Sequence, residues 1–370
     1  MGGMATTKPG PLTKIGTTAV PLLALVVLAF TWGREVPGVV VALVGFCLAG
    51  AVLSAVHHAE VVAHRVGEPF GSLVLAVAVT VIEVALIVTL MADGGAKTSS
   101  LARDTVFAAV MITCNGIVGL SLFVGAWKGG IAPFSTEGTV AAVATVATLA
   151  TLSLVLPTFT TGASGPEFTG AQLAFAAVVS LAVYLLFVAM QTIRHREYFL
   201  PVTRDGEVLD EEDHAHPPSN RETFLSLGLL LVALVAVVGN TKGLSPLIES
   251  GVDAAGLPQA FVGVVIALLV LLPETLAASR SARRDRTQIS LNLAHGSAIA
   301  SIGLTIPAIA VASIWMDGPL LLGLGATHMV MLALTVVVSV LTVITGRATL
   351  LQGGLHLTLF ASFVFLAISP

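Results

Sequence analysis

Eleven apolar runs of about 17–25 residues follow one another along this chain. Wound as helices, runs of that length match the hydrocarbon thickness of a bilayer. They lie at approximately 16–33, 37–57, 70–92, 104–126, 138–157, 171–193, 223–240, 257–280, 288–314, 319–345 and 349–368. The fold expected is an all-α membrane protein of about eleven transmembrane helices. Composition leaves no room for a soluble alternative: 56% of the 370 residues are hydrophobic, 10% are charged, and the mean hydropathy is +0.98. A water-soluble domain carries about 25% charged residues, so the lipid bilayer is the solvent for most of this chain. Its two cysteines, Cys47 and Cys114, sit in apolar runs and read as small core residues. The net charge of −4 offers no footprint for nucleic acid. No cleaved signal peptide is expected, because the first apolar run is not followed by a small-residue cleavage site.

Orientation follows from basic residues. With a cytoplasmic N-terminus, 13 of the 17 Lys and Arg fall inside: Lys8, Lys14, Arg65, Lys128, Arg194, Arg196, Arg204, Arg221, Arg280, Arg283, Arg284, Arg286 and Arg347. Four fall outside, namely Arg34, Lys97, Arg103 and Lys242. One connection is long and polar: residues 194–222 include the acidic run Asp210-Glu211-Glu212-Asp213.

Two stretches echo each other. Phe70 through Val81-Ile82-Glu83 to Cys114-Asn115-Gly116 is answered by Val262 through Leu272-Pro273-Glu274 to Ala294-His295-Gly296. Each has a helix with one buried Glu, a loop, and a helix with a polar residue before Gly. The organisation expected is residues 1–36 as N-terminal segment and first helix, 37–193 as a first five-helix repeat, 194–222 as an acidic cytoplasmic loop and 223–370 as a second five-helix repeat. An odd number of helices per unit inverts one unit relative to the other, which places a binding site near the midplane.

Glu83 and Glu274 are the two acids placed deep in apolar runs. A charge there costs about 2.5–3.5 kcal/mol on insertion scales and faces a polar cavity or a partner. Two facing carboxylates offer up to four oxygens to a hard cation, which wants about 6–8. Without the cation, neighbouring carboxylates out of water take up protons instead. One site then holds metal or protons in turn, and that mutual exclusion is the minimal physics of exchange. Pro273 has no N–H, so the carbonyl near Leu269 is freed, either as a cation ligand or simply as part of a packing kink. Asn115 and His295 occupy equivalent places, with Thr113 and Asn292 nearby, and Asn and His can ligate, carry protons or bond a Glu. The expected cation- and proton-binding set is Glu83, Glu274, Asn115, His295, Asn292 and Thr80, with Glu83 and Glu274 as metal ligands. Ser301 and Thr305 are weaker candidates, and Gly116, Gly119, Gly296 and Gly303 read as close-packing sites.

Other polar features have blander readings. Arg280 to Arg286 reads as an orientation signal, with lipid headgroup contact as the alternative. His57, His58, Glu60, His64 and Glu68 read as a solvated surface loop. The run at Asp210, with His214 and His216, reads as solvated. His328 and His356 read as structural.

At these residues the chain resembles a known family. Gly67-Glu68-Pro69-Phe70-Gly71 with Thr80-Val81-Ile82-Glu83-Val84 is similar to the first α-repeat of bacterial ChaA-type antiporters. Leu272-Pro273-Glu274-Thr275 with Asn292-Leu293-Ala294-His295-Gly296 is similar to their second, and Thr345-Gly346-Arg347 with Leu351-Gln352-Gly353-Gly354-Leu355-His356-Leu357 to their C-terminal pattern. The resemblance covers nearly the whole chain and points to the calcium/cation antiporter superfamily. It implies eleven helices, inverted five-helix repeats, a place in the bacterial inner membrane, and proton-driven export of Ca²⁺, with Na⁺ or K⁺ in some members, at Glu83 and Glu274. The calcium/proton exchangers carry Gly-Asn-Ala-x-Glu before each acid. This chain has Val79-Thr80-Val81-Ile82-Glu83 and Leu271-Leu272-Pro273-Glu274 instead, so those Asn ligands are not carried over.

The function expected is secondary active transport of Ca²⁺, Na⁺ or K⁺ against protons. The alternative is a sodium/calcium or potassium exchanger without proton coupling. The partners expected are inorganic cations, protons and lipid, with no cofactor. An intramembrane enzyme finds no support, since neither His-Glu-x-x-His nor Gly-x-Ser-x-Gly is present.

Overall fold

The computed structural model describes residues 11–34, 38–66, 70–94, 99–202, 218–258, 260–316 and 318–370. Glu68, Lys97, Arg204 and the acidic run with His214 and His216 lie outside the described residues. The chain is a succession of helices: α1 (Pro11–Thr31), α2 (Gly38–Val66), α3 (Phe70–Gly94), α4 (Leu101–Met111), α5 (Val118–Gly129), α6 (Thr136–Ala150) and α7 (Gly170–Ala189). Then come α8 (Asn220–Ala254), α9 (Ala260–Val270), α10 (Leu272–Arg283), α11 (Thr287–Ala312), α12 (Ala326–Val343) and α13 (Leu350–Ile368). A π-helical turn, Ile112–Ile117, joins α4 to α5 without a break, and two more, Thr151–Val155 and Met190–Arg194, extend α6 and α7.

Among the described residues eight helical segments are long and apolar enough to cross a membrane, or nine if the bent α9–α10 pair is one crossing. α1 and α3 add shorter apolar stretches, Gly16–Thr31 and Val77–Met91. The molecule is a multi-pass membrane protein.

Three expectations are corrected. The span expected at 319–345 starts only at Ala326. Before it, residues 318–325 are not helical: Gly323 N–H donates to Pro166 O and Leu324 N–H to Leu154 O. Pro319 and the glycines 318, 323 and 325 make this apolar stretch a poor helix and a good loop filler. The span expected at 37–57 continues to Val66, because the next helix breakers are Gly67 and Pro69. His57, His58, Glu60 and His64 therefore sit on a helix rather than on a loop, and His58 is buried.

The chain divides into two compact units. The smaller holds α1, α2, the start of α3 to Ala78, and α8 to Leu247. Its helices are tied by polar bonds whose origin is legible in the chain. Pro21 lies inside α1 and has no N–H, so the carbonyl of Thr17, four residues back, loses its helical donor. Two side chains of α2 supply replacements: Ser54 Oγ donates to Thr17 O at 2.7 Å, and His58 Nε2 at 3.0 Å. A carbonyl only accepts, so Nε2 of His58 carries the proton, and its Nδ1 accepts from Ser226 Oγ of α8 at 3.2 Å. Asn240 of α8 donates to Ala24 O of α1 at 3.0 Å.

The larger unit runs from Val79 through α7 and from Ile248 to the end. α11 lies at its centre, packed on α4, α5, α6, α7 and α10. Most of its residues are apolar or small, and more than half of them are buried. α5 and α13 approach closely at Gly119, where a Cβ would come within 2.9 Å of His356 Cβ. α11 meets α7 at Gly303, where a Cβ would come within 2.6 Å of Tyr184 Cβ. Gly116 makes only ordinary contact, and Gly296 has nothing within 4 Å, so it is not a packing site in this arrangement. Cys47 and Cys114 are buried free thiols.

Candidate cation site

Glu83 lies in the uninterrupted helix α3 and is 4% exposed. No local backbone group offers its carboxylate a hydrogen bond there, since every N–H of a helix interior is taken. Its partner comes from across the bundle: Ser301 Oγ of α11 donates to Glu83 Oε1 at 2.7 Å. Thr305, one turn along α11, is fully buried, and its Oγ1 makes no hydrogen bond among the described residues. Ser301 and Thr305 share a face by their spacing of four, so α11 presents two hydroxyls in an otherwise apolar wall. Thr80, buried, lies three residues before Glu83 on the same face of α3.

Glu274 is held by another device. α9 ends at Val270, α10 begins at Leu272, and the two are bent by 52°. Pro273 causes the break: the Leu269 carbonyl has no N–H to meet four residues on. Glu274 then falls in the first turn of α10, 8% exposed. The N-terminal end of a helix carries a partial positive charge and unspent N–H groups, which favour a negative group beside it.

Asn115 is fully buried inside the π-helical turn. Its Nδ2 donates to Thr335 Oγ1 of α12 at 2.9 Å, and its Oδ1 accepts from His356 Nδ1 of α13 at 3.2 Å. That fixes the tautomer of His356: Nδ1 is protonated, and Nε2 accepts from Thr342 Oγ1 at 3.2 Å. His295 is buried on α11, and its Nδ1 donates to Leu291 O at 3.0 Å. Its Nε2 is thereby left as the lone-pair nitrogen.

The structure therefore joins Glu83 to Ser301 and Asn115 to His356. It takes Asn292 elsewhere. Asn292 Nδ2 donates to Phe199 O at 2.6 Å, and its Oδ1 accepts from Gln288 Nε2 at 2.7 Å. Gln288 in turn accepts from the Ser135 N–H at 2.6 Å. Asn292 is spent on a clasp between α11 and the segment after α7. Thr113 is spent on carbonyls of its own helix, Ala109 and Val110. Among the described residues no three His, Cys, Asp or Glu side chains are grouped to hold a metal ion.

Sequence reasoning missed the hydroxyls of α12. Thr335, Ser339 and Thr342 are all buried, and their spacing of four and three puts them on one face of an apolar helix. That stripe was available as a signal, and it faces Asn115 and His356. Reading His356 as structural agrees with its fully satisfied ring, but its partner Asn115 comes from the candidate set.

Comparison with known proteins adds to this geometry. The family model described as "Sodium/calcium exchanger protein" matches residues 36–193 and 225–369. The protein y4hA of Sinorhizobium fredii is 45% identical over 358 residues, 95% of each chain. The sodium-potassium/proton antiporter ChaA of Escherichia coli is 35% identical over 350 residues, 93% of each chain. Among solved structures, native YfkE superposes with a TM-score of 0.69 at 17% identity, covering 96% of this chain and 99% of that one, a likeness of fold.

Proposed function

The chain belongs to the sodium/calcium exchanger protein family, and from that premise we propose that it is a secondary transporter exchanging Ca²⁺, or Na⁺ or K⁺, for protons by alternating access. The observation that carries this reading is the Glu83–Ser301 pair, a carboxyl buried in a membrane-spanning bundle and met by a hydroxyl donor from another helix. Ser301 occupies one oxygen, and the other is the place for a proton or a cation. Protonated, the group is neutral and tolerated in the bilayer. Ionised, it needs a counter-charge, and a cation supplies it.

Glu274 is the second acid of the site. Its helix-start position favours the negative charge that a divalent cation requires. In this reading Asn115, His295 and Thr80 are the further polar groups of the site. The Escherichia coli relative's name, sodium-potassium/proton antiporter, supports proton coupling. The matching of the family in two blocks supports two five-helix repeats of opposite orientation. In this reading the chain crosses the bacterial inner membrane eleven times: eight long spans, the bent pair, α1 and α3. The N-terminus is cytoplasmic by the distribution of Lys and Arg.

A second reading, cation exchange without protons, is favoured by the family's description as sodium/calcium exchanger. One experiment separates the two. Purified protein is reconstituted in liposomes with an acidic interior and a trapped pH dye, and Ca²⁺, Na⁺, K⁺ and Mg²⁺ are added outside in turn. Proton antiport gives collapse of the pH gradient by at least one of these cations, with no response from Glu83→Gln or Glu274→Gln. Removal of a buried charged partner costs on the order of 3–5 kcal/mol, a loss of about a hundredfold or more. Labelled Ca²⁺ or Na⁺ crossing without any proton movement makes the second reading the correct one. Ordinary exchange by both Gln variants overturns the site.

A further inference from the structure

The four arginines between 280 and 286 adjoin a cavity that the exchange reaction does not use. Arg280 and Arg283 lie in the last turn of α10, Arg284 follows it, and Arg286 precedes α11. The segment carries four positive charges and one negative, Asp285. Arg280, Arg283 and Arg284 are exposed and make no ion pair among the described residues. The turn that bears them is pinned: Asp285 has φ of 58°, and the N–H groups of Arg284 and Arg286 both donate to Ser281 O. A helix C-terminus attracts cations, which accounts for the sign of the cluster. It does not account for the groove beside it.

That groove is a cavity of about 470 Å³ between α5 and α10, lined by Phe123, Val124, Trp127, Ala282, Arg283 and Asp285. It is graded in polarity. Phe123 and Val124 make its apolar end, and Trp127 lies one turn further along α5, toward the helix's end, its ring 5.5 Å from that of Phe123. Trp127 is 67% exposed. An exposed Trp at the end of a membrane helix marks the level of the headgroups. The polar end is Arg283 with the Asp285 carboxylate, and Arg280 and Arg284, near them in sequence, keep the net charge of this end positive. An apolar floor, an interfacial indole and unpaired guanidinium groups match one kind of molecule, an anionic phospholipid whose acyl chain follows α5 while its headgroup meets the arginines.

We propose that the α5–α10 groove is a binding site for one anionic phospholipid, with Arg283 and Arg284 as its headgroup contacts and Phe123, Val124 and Trp127 as its acyl contacts. This does not depend on which cation is exchanged or on whether protons are coupled.

The test uses the indole of the site. In the full chain with Trp32→Phe and Trp315→Phe, Trp127 is the only tryptophan. Lipids with brominated acyl chains quench it on contact. Brominated phosphatidylglycerol is expected to quench at about a tenfold lower mole fraction than brominated phosphatidylcholine. Arg283→Gln with Arg284→Gln is expected to bring the two lipids level, while unchanged circular dichroism and size-exclusion profile establish that the variant is folded. Excess inorganic phosphate is expected to leave the preference in place, because phosphate lacks the chain that fills the groove. Equal quenching by the two lipids in the parent overturns the proposal. A preference that survives the double Arg substitution overturns it as well. Abolition by phosphate alone makes the cluster a general anion site and overturns the assignment to lipid.

Discussion

Glu83 and Glu274 occupy corresponding places in two similar stretches of sequence, and the protein holds them in opposite ways. Glu83 rides an intact helix and draws its hydrogen bond from a different helix, through Ser301. Glu274 sits where a helix has been broken, in the first turn after a 52° bend. The first acid takes a hydrogen bond from a side chain of another helix, and the second lies at a helix start, where the backbone favours its charge. The polar partners repeat the contrast. Asn115 lies in a π-helical turn and bonds outward to α12 and α13, whereas His295 lies in a regular helix and bonds back to its own Leu291. Two like residues at matched positions therefore need not be interchangeable. The Ser301 hydroxyl can be removed by one substitution, and the helix start at Glu274 cannot.

The harshest way to break this comparison is to give α3 the device of α10. Ile82 stands before Glu83 as Pro273 stands before Glu274. Ile82→Pro is expected to destabilise the protein by about 3 kcal/mol or more, because α3 has no break to receive it. Thermal unfolding in detergent reads the loss, and a variant as stable as the parent would erase the distinction between the two helices. Next in size is Ser301→Ala. A hydrogen bond to a charged group contributes about 1.5–3 kcal/mol, so apparent cation affinity in the liposome assay is expected to fall about ten- to a hundredfold. The matching hydroxyl beside Glu274, Thr275, donates to the carbonyl of Leu271. Thr275→Ala is expected to leave affinity within about twofold, as a bond to the helix's own carbonyl adds little. Equal losses from the two variants would show that both acids rely on side chains. On stability, read separately from exchange, Asn115→Ala strands His356 Nδ1 and Thr335 Oγ1 and is expected to cost about 1–3 kcal/mol. His295→Asn removes one local bond and is expected to cost about 1 kcal/mol.

Charge in apolar surroundings made Glu83 and Glu274 visible in the sequence, since such residues are rare in membrane helices. Helix boundaries were legible where Gly and Pro punctuate the chain, as at Gly67 and Pro69. They were misleading at 318–325, where Leu320, Leu321 and Leu322 carry the hydropathy of a span but the flanking Gly and Pro deny it a helix. Pairing across the bundle was beyond reach. Ser301 stands 218 residues from Glu83, and nothing in a hydropathy pattern brings them together. Asn292 shows the converse case. Its position one turn before His295 argued for the ion site, yet Gln288 and the Phe199 carbonyl claim it. An amide with two donors and an acceptor binds whatever polar group is nearest, and only the fold decides which that is.

The Thr17 carbonyl bears on how the chain enters its membrane. While α1 stands alone, Pro21 leaves this oxygen without a helical donor. Its two donors, Ser54 and His58, belong to the next helix to be synthesised. α1 by itself is an incomplete insertion unit, and the smallest piece of this nascent chain with that carbonyl satisfied is the α1–α2 hairpin.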